Sequence, residues 1–527
     1  RLPIRAVVID EAHCISIWGH DFRPEYRRIV NLVRLLPREV PVVAVTATAT
    51  RRVEQDVREQ IGEPFHVLRG NLMRPNLRLR VIRTASEAEK LAWLAHLLNH
   101  LPGSGLIYTA TRHSSELVAA FLQAQGYPVR YYHAGLSDER VELEAQLQRN
   151  ALKALACTNA LGMGLDKPDL RFVIHYETPA SPIHYYQEIG RAGRDGVESH
   201  CILLADPDAI DTQRSMIRNS RPDRQAYLRI YTLLQTEPMR ERDLLLATGL
   251  PQHTTRAILY DLQDQGLITR DTQRYYRAVS RHAPSFEQYD ALLQAKLAEL
   301  QAIVDYWETP DCRMRYLCRF LGDEAATACG QCDTCTGETL APPPPALQRA
   351  AEAFAFHPPL NLDTKHQKEL VYAAGVALSF YGNTPVGEAI HACKYGAARQ
   401  PFPDWLVEQC ASLIQQRFAG DGLEGIVPVP STVSGSLVDD FAGRLAARLG
   451  VPLVPALRKV RPTQPQKDFT NAAQKAENIK GAFECAAPVQ GKTLLVVDDV
   501  YDSGATLKEA GRILKQAGAG RLYAFCI

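Results

Sequence analysis

The sequence predicts a multidomain α/β protein, and three observations carry that prediction. Its 527 residues exceed what one hydrophobic core usually organises. Three stretches alternate short apolar runs with amphipathic helical patterns, the order expected of parallel sheets covered by helices. A proline run, "APPPP" at 341–345, sets the last of these stretches apart as if behind a stiff extended linker.

The elements follow in chain order. Residues 1–82 read as part of an α/β unit, with "AVVID" and "VVAVT" as strands and helices between them. Residues 83–210 read as a second unit, with strands in "GLIYTA", "VRYYH", "ALACT" and "RFVIHYE". Over 220–281, two short helices, a glycine turn, a third helix and a hairpin around "DTQ" make a winged helix-turn-helix. Helices over 285–337 lead into four clustered cysteines, 338–350 is the proline-rich linker, and 351–527 is a third α/β unit. That unit ends in the strand, loop and helix of "LLVVDDVYDSGATLKEAGRIL". There are no internal repeats.

Composition excludes little and suggests some. With 46% hydrophobic and 23% charged residues, the chain is of ordinary globular type. No apolar run reaches the ~18 residues a membrane span needs, so no membrane partner is expected. The net charge of +1 does not by itself point to nucleic acid. Arginine outnumbers lysine 46 to 14, however, and arginine is the better fork for phosphates and the better plate for stacking on bases. Four of the 12 cysteines are tightly spaced and the rest scattered, which fits a reducing compartment. The chain opens on Arg1 with no signal-peptide pattern.

Chemistry concentrates in short motifs. "DEAH" at Asp10 to His13 places two carboxylates at a strand's end. Asp10 there suits a Mg²⁺ ion held through water, and Glu11 suits proton abstraction from an attacking water. Alone, the box also fits a solvated acidic strand end. Next comes "AHCISIWGHDFRPEYRRI", where Trp18, His20 and Phe22 stand beside Arg23. Gly19, Asp21 and Pro24 interrupt these aromatics, which favours a loop over a core stripe. Stacking on unpaired bases contributes ~1–3 kcal/mol per base. "VTATAT" offers the hydroxyls of Thr46 and Thr48. In the second unit, Arg112, His133 with Gly135, and Thr158 each follow a strand, at the edge where open parallel sheets bind ligands. Gly162 and Gly164 let backbone approach a phosphate, and Asp166 suits a ribose hydroxyl or a bridging role. "YYQEIGRAGRDG" adds Gln187, Arg191 and Arg194.

Taken in this order, the motifs resemble the RecQ family of DNA helicases, which implies two RecA-like lobes, the first of them partial here. The resemblance implies ATP-dependent 3′-to-5′ unwinding in DNA repair and recombination, with Mg²⁺ and ATP. It implies single-stranded DNA and duplex junctions as partners, with single-strand-binding or repair proteins beside them, in the cytoplasm of a bacterium and at its nucleoid. By the same resemblance Asp10, Glu11, His13 and Gln187 are catalytic, Arg191 is a γ-phosphate contact and Arg194 the arginine finger. Such a finger is worth on the order of 10³–10⁵ in rate. Thr46, Thr48, Gly164 and Asp166 then serve ATP binding and coupling, while Trp18, His20, Phe22, Arg23, Arg112, His133 and Thr158 contact DNA. The family's phosphate-binding lysine motif lies upstream of the DEAH strand, and no GxxxxGKS or GxxxxGKT pattern occurs in this sequence. The expectation is an N-terminally incomplete sequence holding half an ATP site, which does not hydrolyse ATP by itself.

The accessory stretches have their own signals. Cys312, Cys329, Cys332 and Cys335 form C-x16-C-x2-C-x2-C, and four thiolates close a tetrahedral, structural Zn²⁺ site. Cys318 falls off that face and reads as a packing residue. Spacing and flanks resemble the RecQ zinc module. In the winged helix, Thr254, Thr255 and Arg256 are placed toward a groove, with Arg270, Arg274 and Arg277 on the wing. Duplex binding and protein contact both remain open for it. Most RecQ relatives place the zinc module directly after the second lobe, whereas here the winged helix comes first.

Near the end, Asp498 and Asp499 sit at a strand's end, suited to two vicinal ribose hydroxyls or to Mg²⁺ held by a diphosphate. Asp502, Ser503, Gly504, Ala505 and Thr506 then turn into a helix whose free N–H groups cradle a 5′-phosphate. The stretch resembles the phosphoribosyl diphosphate motif of type I phosphoribosyltransferases. With "IHACKYG", "IVPVPST" and "RPTQPQKDFTNAAQKAENIKGAF", it resembles the competence protein F family over about 380–527. Where that family carries a basic "RGFNQ"-like stretch after "PVP", this chain has "STVSGSLVDDFAGRLA". Phosphoribosyl diphosphate is the expected ligand, and a binding or regulatory domain and an active transferase stand as two readings. For the whole chain, the alternatives to a helicase are a non-catalytic DNA-binding protein and a DNA-associated phosphoribosyltransferase.

Overall fold

The computed structural model describes residues 4–16, 24–37, 39–62, 65–134, 136, 139–161, 165–207, 210–219, 222–356, 360–361, 371–379, 385–395, 400–418, 420–431, 436–463, 478–501 and 504–527. They form two compact units, residues 1–220 with 285–351, and residues 221–284 with 352–527.

In the first unit, β1 (Val7–Ile9) and β2 (Val42–Ala44) pair in parallel, with Val7 opposite Val42. Helices α1 (Pro24–Arg34) and α2 (Arg51–Ile61) close over a small core of Ile9, Ile15, Val30, Val53 and Val57. Thr50 starts α2 by accepting a hydrogen bond from the Val53 N–H at 3.4 Å, as a side-chain cap does.

The larger sheet of this unit has six strands: β3 (Leu77–Arg83), β4 (Gly105–Tyr108), β5 (Val129–Tyr132), β6 (Ala154–Cys157), β7 (Phe172–His175) and β8 (Ser199–Ala205). Their spatial order is β3-β8-β7-β4-β6-β5, and every neighbouring pair is parallel. β4, β6 and β7 are buried at every position, as expected of inner strands covered on both faces. Gly105 is required by close packing, because a Cβ there would lie 2.3 Å from the Phe172 carbonyl oxygen. β3 begins before the boundary expected at residue 82, since it is an edge strand of this sheet and pairs along β8. Five helices connect the strands or follow them: α3 (Glu87–His100), α4 (Arg112–Ala124), α5 (Glu139–Gln148), α6 (Pro182–Ile189) and α7 (Ile210–Asn219). Ser86, Thr111 and Ser181 cap α3, α4 and α6 through the N–H three residues on, and Pro182 opens α6 where its missing N–H costs nothing.

The cysteine-bearing stretch belongs to the same unit. The 22-residue helix α11 (Glu287–Glu308) is followed by α12 (Arg313–Phe320) and the short α13 (Asp333–Thr336). Tyr306, Trp307, Met314, Leu317 and Cys318 join Tyr185, Ile189 and Leu203 in one continuous core. The N–H of Val81 on β3 donates to Asp333 at 2.9 Å, and Arg69 donates to the Leu321 carbonyl at 2.7 Å. Packing and hydrogen bonds therefore join the module to the six-stranded sheet.

In the second unit, α8 (Arg224–Thr236), α9 (Glu241–Thr248) and α10 (Gln252–Asp264) stand against a three-stranded antiparallel sheet. Its strands are β9 (Met239–Arg240), β10 (Ile268–Arg270) and β11 (Tyr275–Ala278), in the order β10-β11-β9. Gly249, at φ 69°, turns the chain between α9 and α10 in a left-handed conformation that suits glycine. Thr255 departs from the sequence expectation. Periodicity turns it inward beside Ile258 and Leu259, so it is fully buried rather than facing a groove.

The proline run also differs from expectation. Its last member, Pro345, begins α14 (Pro345–Phe356), so the extended segment stops earlier than residue 350. Proline at a first helical position needs no hydrogen-bond partner and is preset for the helix. Beyond it, β12 (Leu360–Asn361), β13 (Ala374–Ala377), β14 (Gly425–Pro428), β17 (Leu494–Asp498) and β18 (Leu522–Cys526) form one sheet. The order is β12-β13-β18-β17-β14, parallel except for β12. β15 (Leu457–Lys459) and β16 (Phe483–Cys485) make a separate antiparallel pair. On one face lie α15 (Pro385–Tyr395), α16 (Asp404–Phe418) and α17 (Leu437–Leu449), meeting Leu495, Val497 and Phe525. On the other lies α18 (Ala505–Gln516), meeting Leu494, Val496 and Ala524. The alternation of β17 and β18 residues between the two cores is the period-two pattern of strands. Among the described residues, no helix is long and apolar enough to cross a membrane.

Candidate nucleotide, nucleic-acid and metal sites

The DEAH box lies where β1 ends. The exposed Asp10 carboxylate accepts the Glu11 N–H at 2.8 Å. Glu11 is in the left-handed region, at φ 50° and ψ 45°, a conformation that costs a non-glycine residue about 1–2 kcal/mol. Its carboxylate comes within 3.3 Å of Nδ1 of the buried His13, which also lies 2.9 Å from Thr46 Oγ1. The Thr46 hydroxyl in turn accepts the Thr48 N–H at 3.2 Å. The strand-end acids and the "VTATAT" segment thus form one hydrogen-bonded group. Local strain of this kind gathers at functional sites.

Two sequence-predicted residues of the six-stranded sheet, His133 and Thr158, line up with Thr109 on its C-terminal edge. Tyr108, Cys157 and Tyr132 are in register across β4, β6 and β5, so Thr109, Thr158 and His133 emerge side by side. With strands ~4.8 Å apart, the row is about 10 Å long. His133 is buried, its Nε2 2.9 Å from Glu116, whereas Arg112 is exposed at the first position of α4.

From within α6, Gln187 donates from Nε2 to Thr48 Oγ1 at 3.0 Å, joining the six-stranded sheet's helix to the DEAH group. Arg194 Nη1 donates to Asp166 at 2.7 Å, both side chains being well exposed. Arg191 Nη1 donates to the Leu165 carbonyl at 3.5 Å, while its buried Nε has no hydrogen-bond partner among the described residues. An orphaned guanidinium N–H is what an anionic ligand would satisfy. Gly135, Gly162, Gly164 and the aromatic stretch with Trp18, His20, Phe22 and Arg23 lie outside the described residues.

Sequence reasoning missed a cavity of about 430 Å³ on the same edge. Thr109, His175 and Glu177 line it together with Arg52, Lys296 and Glu299. Burial pushes Glu299 up to about 7, against the pull of Lys296 and Arg52. Its walls come from α2, β4, β7, α7 and α11, and no local motif records such a convergence.

The four predicted zinc ligands do come together. The Sγ atoms of Cys312, Cys329, Cys332 and Cys335 all lie within 4.8 Å of one another. Cys312 and Cys332 are 3.9 Å apart, close to the ~3.8 Å edge of a tetrahedron with Zn–S bonds of ~2.3 Å. The N–H groups of Cys329 and Arg313 point at Cys312 Sγ and Cys332 Sγ, at 3.1 and 3.4 Å. The Cys329 thiol, then the Thr334 hydroxyl and the Arg313 N–H, hold Cys332 down to about 4, toward the thiolate a metal needs. The donor set therefore fits a closed structural Zn²⁺ site. Cys318 lies outside the cluster, its thiol 3.7 Å from Met73 Sδ.

In the winged-helix stretch, Arg256 is exposed and pairs with Glu241 at 2.8 Å. Arg274 occupies the hairpin turn at φ 69°, and Arg270 lies 5.3 Å from the Tyr276 ring centre.

At the other sheet, Asp498 closes β17 and accepts the Asp499 N–H at 2.9 Å, both carboxylates being buried. Burial first, and then the Asp499 charge, raise Asp498 to about 7. Gly504 caps α18 at φ 72° and, as a glycine, offers no side-chain hydrogen bond of its own to the helix's first-turn N–H groups. Asp502 and Ser503 lie outside the described residues. Sequence reasoning missed Lys394, which reaches from α15 to Asp499 at 2.6 Å. The quoted "IHACKYG" contains it, yet nothing local shows what it meets.

Comparison with known proteins agrees with these groupings. Family descriptions match as follows: DEAD/DEAH box helicase over residues 3–57, Helicase conserved C-terminal domain over 89–196, RecQ zinc-binding over 269–336, and Phosphoribosyl transferase domain over 409–527. A Bacillus subtilis (strain 168) protein named as a probable ATP-dependent DNA helicase, RecS, is 39% identical over 267 residues, 49% of this chain and 53% of its own. The ATP-dependent DNA helicase RecQ of the same organism is 31% identical over 341 residues, 64% of this chain and 45% of its own. The RecQ of Synechocystis is 33% identical over 356 residues, 64% of this chain and 71% of its own. The chain spans about half the length of the first two of these relatives. With DEAH, second-lobe and zinc-binding matches in sequence along one chain, and 33% identity across 71% of a RecQ protein, this chain belongs to the RecQ family of ATP-dependent DNA helicases.

Proposed function

We propose that the chain works as the motor of an ATP-dependent 3′-to-5′ DNA helicase of the RecQ type, with a phosphoribosyl-binding domain at its C-terminal end. The observation that carries the motor reading is the hydrogen bond from Gln187 to Thr48. It couples the arginine-bearing segment after α6 to the group containing Glu11. Mg²⁺ held with ATP would neutralise phosphate charge, and the exposed Asp10 carboxylate suits it as a water-bridged ligand. Glu11 accepts the proton of the attacking water, and His13 fixes the Glu11 carboxylate and Thr46 in one arrangement. Arg194, parked on Asp166, is free enough to swing to developing phosphate charge, and Arg191 offers its orphaned Nε–H.

Single-stranded DNA runs along the row of Thr158 and His133, with Arg112 on its phosphates and the aromatic stretch reporting occupancy to Glu11. Arg256 and Arg274 of the winged helix hold the duplex side, which makes junctions with a single-stranded tail the preferred partner. Single-strand-binding and repair proteins, and a bacterial nucleoid location, accompany this role. Asp498 and Asp499 take ribose hydroxyls, and the Gly504 to Thr506 turn takes the 5′-phosphate.

Strand separation tests the reading. The protein isolated from its host is expected to unwind a duplex with a 3′ single-stranded tail in the presence of ATP and Mg²⁺, and to leave the same duplex with a 5′ tail paired. Equal unwinding of both, or of neither, would refute it.

A further inference from the structure

We propose that Arg74 and Asn76 are positioning residues for ATP hydrolysis, holding the loop that carries Arg191 and Arg194 in the shape the reaction needs. The proposal rests on the motor reading of those two arginines and adds the residues that place them.

After α6 the chain runs from Gly190 to Val197 without a helix or strand, so no regular ladder fixes its course. Its carbonyl groups converge instead on two side chains. Arg74 donates from Nη1 to the Gly190 carbonyl at 3.3 Å, and from Nη2 to those of Ala192 and Gly193 at 3.0 and 3.3 Å. Asn76 Nδ2 donates to the Gly193 carbonyl at 2.7 Å and to that of Val197 at 3.0 Å. These five bonds span the segment that contains both arginines. The Arg74 guanidinium also meets the C-terminal end of α6, where a cation complements the negative pole of the helix. The approach is close. Gly193 is at φ 55°, and a Cβ on it would lie 2.5 Å from Asn76 Nδ2.

The two donors are themselves held. Tyr186 on α6 donates to the Leu72 carbonyl at 2.6 Å. From the cysteine-bearing stretch, Asp323 accepts the Leu72 N–H at 3.3 Å, and Gln331 donates to the Pro75 carbonyl. Arg69 adds its bond to Leu321. Residues 69–76 therefore form a strap hydrogen-bonded both to the cysteine-bearing stretch and to the arginine loop. The side chains of Arg191 and Arg194 rest on Leu165 and Asp166. The clamp thus grips the backbone of the loop and leaves its guanidinium groups to the nucleotide. Such a grip matters to rate, because a misplacement of about 1 Å at a reacting centre costs about a hundredfold.

ATP turnover by the protein isolated from its host, at saturating single-stranded DNA, tests the clamp. Asn76→Asp keeps the size of the side chain and replaces its N–H donors with an acceptor oxygen. Arg74→Lys keeps the charge, but an ammonium does not reproduce the fork of a guanidinium. Each variant is expected to lower kcat about 10- to 100-fold while the KM for ATP changes less than about threefold, since the arginines act on charge that develops in the transition state. Arg194→Ala is then expected to cost at least about tenfold less in either background than in wild type, because a misplaced finger has less to lose. A clamp that serves folding alone predicts a lower melting temperature, unchanged kcat and the full Arg194→Ala cost in each background. Unchanged kcat in both variants, or an undiminished Arg194→Ala cost, would overturn the proposal while the motor reading stands. Failure of both variants to fold would also overturn it, since the clamp would then be structural. Wild-type turnover that does not respond to DNA would overturn the motor reading and the proposal with it.

Discussion

Replacing Cys332 with serine is expected to remove zinc from the protein and to unfold the segment from Cys312 to Thr336. The side chain is completely buried, and its sulfur is one of four that meet within 4.8 Å. Little regular structure supports the part of it beyond α12. α13 has four residues, and the chain between α12 and α13 contains no regular element. Structural zinc contributes about 10–16 kcal/mol in small modules at neutral pH. Loss should spread outward, because Cys312, Met314, Leu317 and Cys332 share a core with the six-stranded sheet. Elemental analysis and thermal unfolding check this. Wild type should hold one zinc per chain and Cys332→Ser none, with a lower unfolding temperature. Cys318→Ser should keep its zinc, since Cys318 faces Met73 instead. A Cys332→Ser protein that retains a full equivalent would contradict the assignment.

The second large effect belongs to Arg194. Its alanine variant is expected to lose on the order of 10³–10⁵ in the rate of ATP hydrolysis, the value of an arginine finger. Folding should be almost unaffected, because the resting partner is Asp166, and the two side chains are 41% and 77% exposed. An ion pair that exposed is worth about 0–1 kcal/mol. The contrast separates the two roles open to this residue. A surface salt bridge predicts unchanged turnover and a small stability loss, and the finger predicts the reverse. ATP turnover at saturating single-stranded DNA, with a melting curve on the same sample, reads both. A loss of less than about tenfold would argue against the finger.

Much of this arrangement was legible because its signals are local in sequence. Apolar runs such as "GLIY" and "ALAC" are buried on both faces in parallel strands, and period and composition alone carry that information. The four cysteines were legible from spacing, because a metal fixes which sulfurs must meet. Short motifs placed Glu11 and Gln187 near nucleotide chemistry through resemblance. What stayed hidden was contact across long separations. Lys394 meeting Asp499 depends on how α15 packs against the sheet, and no motif encodes that meeting. Thr255 was misjudged because a polar residue was read as outward, while α10 turns it into the core. The cavity beside Thr109 needs walls from two distant helices, α7 and α11. Pro345 shows a subtler limit, since a proline run signals both a stiff linker and a helix start.

The central claim is that Glu11 activates water in a DNA-responsive motor. Its most direct measurement is ATP turnover by the protein isolated from its host, wild type and Glu11→Gln, with and without single-stranded DNA. The account predicts wild-type turnover that rises strongly with DNA. It predicts that Glu11→Gln still binds ATP and DNA but hydrolyses almost nothing. Turnover that ignores DNA, or that survives the substitution undiminished, would contradict it.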